Sequence, residues 1–338
     1  MGIVDNAVYV GGLRVAEPPS LEVTYELLRE KRGMGWIGLY RPTDAEIASV
    51  AEEFGFHELA VEDTVHAHQR PKLERYGDVL FTVLRPARYL DAEERVEFGE
   101  LHVFTTADVV VTVRHAESPD VGRVRRRLER TPSLLTLGPE AVLYAMLDEV
   151  VDEYLPVCDG LENDIDEIEF QVFEGDENVS RRIYELTREV IEFQRATRPL
   201  RSMLASLRAG FEKYRVDDEL QRYLRDVEDH LIKVVERVDG FRVLLQNILT
   251  VNATLVGQRQ NTEMQLMTQA SLEQNQEVKL ISSWAAILFA PTLVGTIYGM
   301  NFSSMPELDW RFGYPFALGL MAAVCGTLYV VFKRRGWL

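Results

Sequence analysis

The sequence predicts an α+β cytoplasmic domain, a mixed sheet with flanking helices, joined by a very long stalk helix to two C-terminal transmembrane helices. Three observations predict it. Runs of branched apolar residues suited to strands end before Gly138-Pro139. From Asp217 to Tyr298 there is no cluster of turn residues, and Pro291 is the only proline. Two stretches, Leu280 to Pro306 and Phe312 to Phe332, contain no Asp, Glu, Lys or Arg, and each exceeds the roughly 20 residues that span a bilayer as a helix.

In residues 1–135, Val79 to Leu84, Leu101 to Phe104 and Val109 to Val113 read as strands. Glu22 to Arg32, Thr43 to Phe54 and Asp120 to Arg130 read as covering helices. Residues 136–216 read as a helical hairpin, Pro139 to Glu174 against Val179 to Ala209, with interruptions near Glu174–Asn178 and Gly210–Asp217. Its turn end is acidic: Asp159, Glu162, Asp164, Asp166, Glu167, Glu169, Glu174, Asp176 and Glu177 crowd there. Those carboxylates are either a solvated face or a lure for cations. Residues 217–279 are the stalk part of a helix of some 80 residues, roughly 120 Å long at 1.5 Å per residue. A helix of that length needs partners along it. The first span is 280–298, a loop follows at 299–311, the second span is 312–332, and 333–338 is a basic tail.

Charge and composition remove several function classes. The formal charge is 37 minus 54, or −17, and the acids are spread over the first 280 positions, which argues against a nucleic-acid partner. Cys158 and Cys325 are the only cysteines, too few for a disulfide framework or a thiolate metal site. No serine or cysteine nucleophile motif and no phosphate-binding G-x-x-x-x-G-K-[ST] loop occurs, so an enzyme is not expected. The N-terminal residues carry no basic segment followed by an apolar stretch, so the first 280 residues are expected to stay in the cytoplasm. Lys333-Arg334-Arg335 belongs on the cytoplasmic side, which puts both termini inside and the Gly299–Arg311 loop outside. His57, Glu62, Asp63 and His66-x-His68 read either as surface residues or as a zinc site.

One face of the long helix is polar. Asn247, Asn261 and Asn275 recur every 14 residues, with Thr254 and Thr268 between them and Ser282 next. A strict seven-residue repeat keeps such a seam facing inward when helices supercoil left-handedly. A two-stranded coiled coil places apolar residues there and tolerates an occasional Asn. A wholly polar, uncharged seam fits a ring of identical helices around water, or contacts that fix register. The same seven-step continues to Phe289 and Thr296 inside the first span, with Thr292 between them.

That span ends in Tyr298-Gly299-Met300-Asn301-Phe302, followed by Met305-Pro306-Glu307-Leu308. Here the chain resembles the CorA family of magnesium channels, and the likeness extends loosely back through Tyr223-Leu224-Arg225-Asp226 to Arg70-Pro71-Lys72. The resemblance implies a homopentamer in the inner (plasma) membrane, with first spans lining a pore and second spans outside them. Mg2+ is then substrate and regulatory ligand, Co2+ and Ni2+ are further cargo, and no cofactor is needed. Asn301 is expected to hold a hydrated ion, because its amide oxygen accepts hydrogen bonds from shell waters without trapping the ion as a carboxylate would. Gly299 is expected to permit a tight turn and Met300 to pack.

The family's pore-facing positions fall on Thr292, Phe289, Ile281, Val278 and Asn275. Thr292 and Asn275 suit hydrated ions; Phe289, Ile281 and Val278 suit an apolar gate, or ordinary helix packing. Glu307 in the outer loop is expected to concentrate cations. Asp226, with Asp91 as partner, resembles a regulatory pair bridged by cytosolic Mg2+ between neighbouring subunits. The stretch from Asp226 to Asn275 is about two heptads longer than the family pattern. A zinc transporter of the same superfamily and a non-conducting coiled-coil sensor or scaffold are the alternative readings.

Overall fold

The structure is a computed structural model that describes residues 2–67, 69–176, 178–214, 216–301, 305–306 and 309–338. Its elements in chain order are β1 (Ile3–Val10), β2 (Leu13–Ala16), α1 (Leu21–Lys31), β3 (Met34–Tyr40), α2 (Asp44–Phe54), α3 (Glu58–His66), β4 (Lys72–Tyr76), β5 (Val79–Leu84) and β6 (Ala87–Leu90). A 3-10 turn at Asp91–Glu93 leads to β7 (Arg95–Phe98), β8 (Leu101–Thr105), β9 (Val109–Arg114), α4 (Val121–Glu129), α5 (Pro132–Leu135), α6 (Pro139–Glu174), α7 (Val179–Tyr214), α8 (Asp218–Tyr298) and α9 (Gly313–Arg334). Two compact units result, Met1–Ala253 and Thr254–Leu338.

The first unit is built on a seven-stranded sheet in the order β2-β1-β3-β9-β8-β5-β4. It is mixed: β3 and β9 run parallel, with Ile37 opposite Val111, and the other neighbours are antiparallel. β5 and β8 are buried along their whole length and β9 along all but its last residue, which is why they read as unbroken apolar runs. Alternate residues point to opposite faces. Val79, Phe81 and Val83 of β5 join Val109, Val111 and Val113 of β9 beneath Tyr25 of α1, Val50 of α2 and Ala60 of α3. The other face lies under α4 and α6, where Arg125 of α4 stacks 4.3 Å over the Trp36 ring and donates to the Trp36 carbonyl at 3.2 Å. Fully buried Tyr154 of α6 donates its hydroxyl proton to the Arg85 carbonyl at 2.6 Å.

Local chemistry fixes the helix ends. Thr43 and Glu46 form a reciprocal capping box at the start of α2, and Gly55 closes that helix at φ 67°. Gly175, at φ 83°, ends α6 before the turn into α7. Helix α7 runs through Gly210 to Tyr214, farther than the sequence suggests, because Leu207 and Phe211 are both buried and their packing outweighs the helix penalty of one glycine. Val216 and Asp217 lie outside both helices. Helix α8 has 81 residues and α9 has 22, and both are long and apolar enough to cross a membrane.

Candidate functional site

In the second unit, α9 packs on one side of α8 through Ala317, Met321, Val324, Cys325, Leu328 and Phe332, which are half-buried at helical spacing. The Cys325 thiol lies 3.5 Å from the Ile287 carbonyl. On α8 the covered side carries Ser283, 1% exposed, Ile287, 8% exposed, and half-buried Ala290, Val294 and Tyr298. Val278, Ser282, Phe289, Thr292 and Thr296 lie elsewhere. At about 100° per residue, the mean directions of the two sets differ by about 160°. Asn275 and Ile281 fall at the margins of the second set. Val278, Ile281 and Phe289 are 53%, 66% and 65% exposed, and Asn275 and Thr292 are exposed as well. The structure therefore gathers the predicted pore positions on one side of one helix, turned away from the second span.

That side offers acceptors to whatever faces it. The Thr296 hydroxyl spends its proton on the Thr292 carbonyl at 2.8 Å, and Thr268 does the same toward the Met264 carbonyl at 2.7 Å. Their oxygens can then only accept, the polarity that the water shell of a cation requires. The last turn of α8 tightens: the Gly299 N–H reaches the carbonyls of Gly295 at 2.9 Å and Thr296 at 3.2 Å, and the Met300 N–H reaches Ile297 at 3.3 Å. A Cβ on Gly299 would stand 3.3 Å from the Gly295 oxygen, so glycine serves here by leaving room. Exposed Asn301 follows directly, beside the partial negative charge of the helix C-terminus. Met300 is 45% exposed. Glu307 lies outside the described residues, as does part of its loop.

The seam residues Asn247, Thr254, Asn261, Thr268, Asn275 and Ser282 are all exposed, and every residue from 258 to 282 is exposed on every side of α8. Among these are Met264, Leu266, Met267 and Leu272, each at least 60% exposed. Such a bare helix carrying apolar groups is a surface that further packing would stabilise.

Asp226 and Asp91 are both exposed and make no contact with each other. Asp226 lies near Tyr144 of α6, whose hydroxyl is pushed up first by burial and then by the charge of Asp148, with Asp226 adding to it. Asp91 sits in the 3-10 turn, near Tyr89.

The acidic end of the hairpin is largely counter-charged. Arg237 pairs with Asp159 at 2.8 Å and with Glu162. Asp164 and Glu167 come together with Glu94, which sequence reasoning missed, because Arg182 grips Glu94 through two bonds of 2.9 Å and Glu167 at 2.7 Å. Tyr89 donates to Asp164. Burial pushes the Asp164 carboxyl up, and the Tyr89 hydrogen bond opposes that. The trio is an arginine-centred ion-pair hub. A metal ion would have to displace Arg182. Exposed Asp166, Glu169, Glu174 and Asp176 form the solvated remainder, and Glu177 lies outside the described residues.

The histidine group does not assemble. His57 caps α3 by accepting the Leu59 N–H at 3.2 Å, the His66 ring lies 3.0 Å from the Glu62 carbonyl, and Asp63 pairs with Lys72 at 2.6 Å. His68 lies outside the described residues. Among the described residues, none of His57, Glu62, Asp63 and His66 joins a cluster with metal-ligand spacing.

Comparison with known proteins places the chain among known families and folds. The family model described as CorA-like Mg2+ transporter protein matches residues 31–334. The cobalt/magnesium transport protein CorA of Thermotoga maritima is 30% identical over 309 residues, covering 90% of this chain and 83% of that protein. Among solved structures, the complete CorA magnesium transporter from Methanocaldococcus jannaschii aligns with 100% of this chain and 99% of its own, with a TM-score of 0.59 at 20% identity. The cytoplasmic domain of ZntB from Vibrio parahaemolyticus aligns with 76% of this chain and 99% of its own, with a TM-score of 0.60 at 12% identity. At such identities the two structures speak for the fold.

Proposed function

Because the chain belongs to the CorA-like Mg2+ transporter family, we infer that it is a homopentameric membrane channel for uptake of hydrated Mg2+, with Co2+ and Ni2+ as further cargo. Members of this family transport ions and are not enzymes. The observation that carries the reading is the division of α8 into a side covered by α9 and an opposite side running from Asn275 to Thr296, exposed and rich in acceptors.

Five copies of α8 arranged with that side inward enclose a conduit, and the α9 helices then stand outside it. Mg2+ sheds its water reluctantly, so a lining that accepts hydrogen bonds from shell water passes the ion at least cost. Asn301 supplies five amide oxygens at the outer mouth, and Asn275, Thr292 and Thr296 continue the wet surface. Val278, Ile281 and Phe289 interrupt it with apolar rings that close by dewetting. Lys333 to Arg335 hold the end of α9 on the cytoplasmic side of the inner membrane, which leaves both termini inside.

Uptake needs no nucleotide. An inside-negative potential contributes about 2.3 kcal/mol per charge per 100 mV, hence about 4.6 kcal/mol for a dication, a bias of over a thousandfold. Such a bias overfills the cell unless the channel shuts. Cytosolic Mg2+ bridging Asp226 of one subunit to Asp91 of the next clamps the ring, and without it the facing carboxylates repel and the ring loosens.

The test is flux into proteoliposomes offered Mg2+ or Zn2+, with and without a pH gradient, for the parent and Asn301→Ala. The reading predicts Mg2+ uptake that responds to membrane potential and collapses in the variant. Zn2+ uptake that depends on the gradient, with no Mg2+ uptake, contradicts it.

A further inference from the structure

In a chain with 54 acidic residues against 37 basic ones, one concavity in the first unit is walled by arginines and no carboxylate. It measures about 310 Å³, and Arg70, Arg195, Arg198 and Arg242 line it together with Ile191 and Pro199. Three segments converge there. Arg70 precedes β4, Arg195 and Arg198 lie one turn apart on α7, and Arg242 comes from α8.

Two of the four are already engaged. Arg198 holds Asp239 at 2.8 Å, which the Gln194 amide also holds at 2.8 Å, and Arg195 pairs with Glu192 on its own helix. Arg70 and Arg242 have no carboxylate within ion-pair reach among the described residues. Guanidinium groups stay charged and present flat forks of donors that match phosphoryl oxygens two at a time. No lysine, which would act as a point charge, lines the pocket. With Arg195 and Arg198 engaged, Arg70 and Arg242 leave two forks from two different segments, each matched to one phosphoryl group.

We propose that this pocket binds an oligophosphate, an anion of two or three linked phosphoryl groups, and that Arg70 and Arg242 are its principal ligands. The bound anion ties α7 and α8 to the segment before β4. It therefore stabilises the folded chain by an amount that grows with the logarithm of its concentration above Kd. The site lies within the first unit and does not depend on which cation the protein carries. A lipid headgroup offers similar phosphoryl chemistry, and the experiment separates the two sources.

The experiment titrates the full-length protein in detergent and divalent-free buffer with pyrophosphate, orthophosphate, sulfate and a dissolved short-chain phosphatidate, reading heat of binding and melting temperature. Pyrophosphate is expected to bind saturably with a Kd below about 1 mM, at least about tenfold tighter than the other three. Arg70→Gln and Arg242→Gln are each expected to weaken it about tenfold or more, and Arg242→Lys, which keeps the charge and loses the fork, by less. Because neither arginine holds an ion pair among the described residues, the ligand-free melting temperature of each variant should match the parent, which identifies a misfolded variant. Absent or unsaturable pyrophosphate binding, equal binding in the glutamine variants, or preference for phosphatidate overturns the proposal. So does loss of assembly mass in the glutamine variants, which would show the arginines gripping carboxylates of a neighbouring copy.

Discussion

Exchanging Thr296 for valine tests the orientation of α8 with almost no change in shape. The Thr296 hydroxyl proton is committed to the Thr292 carbonyl at 2.8 Å, so toward the exposed side of α8 the hydroxyl oxygen presents only acceptor lone pairs. Valine fills the same volume and leaves no orphaned backbone group, because the Thr292 carbonyl keeps its helical N–H partner. Stability should therefore change by less than about 0.5 kcal/mol. The ion loses one hydrogen bond from its water shell at each subunit it leans on. At about 1 kcal/mol per bond, one lost contact slows passage about fivefold and two slow it about thirtyfold. The matched control is Ser283→Ala. Ser283 also donates to its own helix, to the Lys279 carbonyl at 2.7 Å, but it is 1% exposed on the side covered by α9. Flux of Mg2+ into proteoliposomes loaded with an indicator, normalised to incorporated protein, should fall for Thr296→Val and hold for Ser283→Ala. Loss of flux in the serine variant alone would mean that the conduit lies on the other side of α8.

Further outcomes follow from other parts of the molecule. Asp226→Asn should keep the channel conducting at internal Mg2+ levels that shut the parent, and unchanged inhibition would remove Asp226 from the regulatory site. Tyr154→Phe should cost about 1–2 kcal/mol in denaturant unfolding, because the Arg85 carbonyl in the core loses the donor at 2.6 Å; a cost near zero would mean that water replaces it. Burial pushes the Glu153 carboxyl above its ordinary value, partly opposed by a hydrogen bond from Ser118, so the folded chain holds more protons than the unfolded chain above about pH 4.5. Its contribution to stability is accordingly full below that value and is lost as pH rises through the raised one. Glu153→Gln should flatten the fall in melting temperature over that range, whereas an unchanged slope would place the titrating group elsewhere.

The parts of the fold that could be read from residues are those whose burial is one-sided or total. β5, β8 and β9 show as runs of valine, leucine and phenylalanine because both sheet faces are covered. β4 (KLERY), β6 (ARYL) and β7 (RVEF) are short and charged, and only their pairing partners make them strands. β3 (MGWIGLY) is broken by two glycines, and its burial depends on lying between β1 and β9. α3 begins with a histidine cap in place of the usual Ser, Thr, Asp or Asn, so its start carried no familiar signal. The polar seam of α8 was legible because a spacing of seven survives in one dimension. Glu94 lies 88 residues from Arg182, and the arginine pocket draws on positions 70, 195, 198 and 242; no local pattern announces either.

Whether copies of α8 form a ring is read most directly from the native mass of the full-length protein extracted in detergent. Five chains of 38.7 kDa predict an assembly of about 194 kDa once bound detergent is removed. A mass of one or two chains contradicts the account, since neither can enclose a conduit with α8.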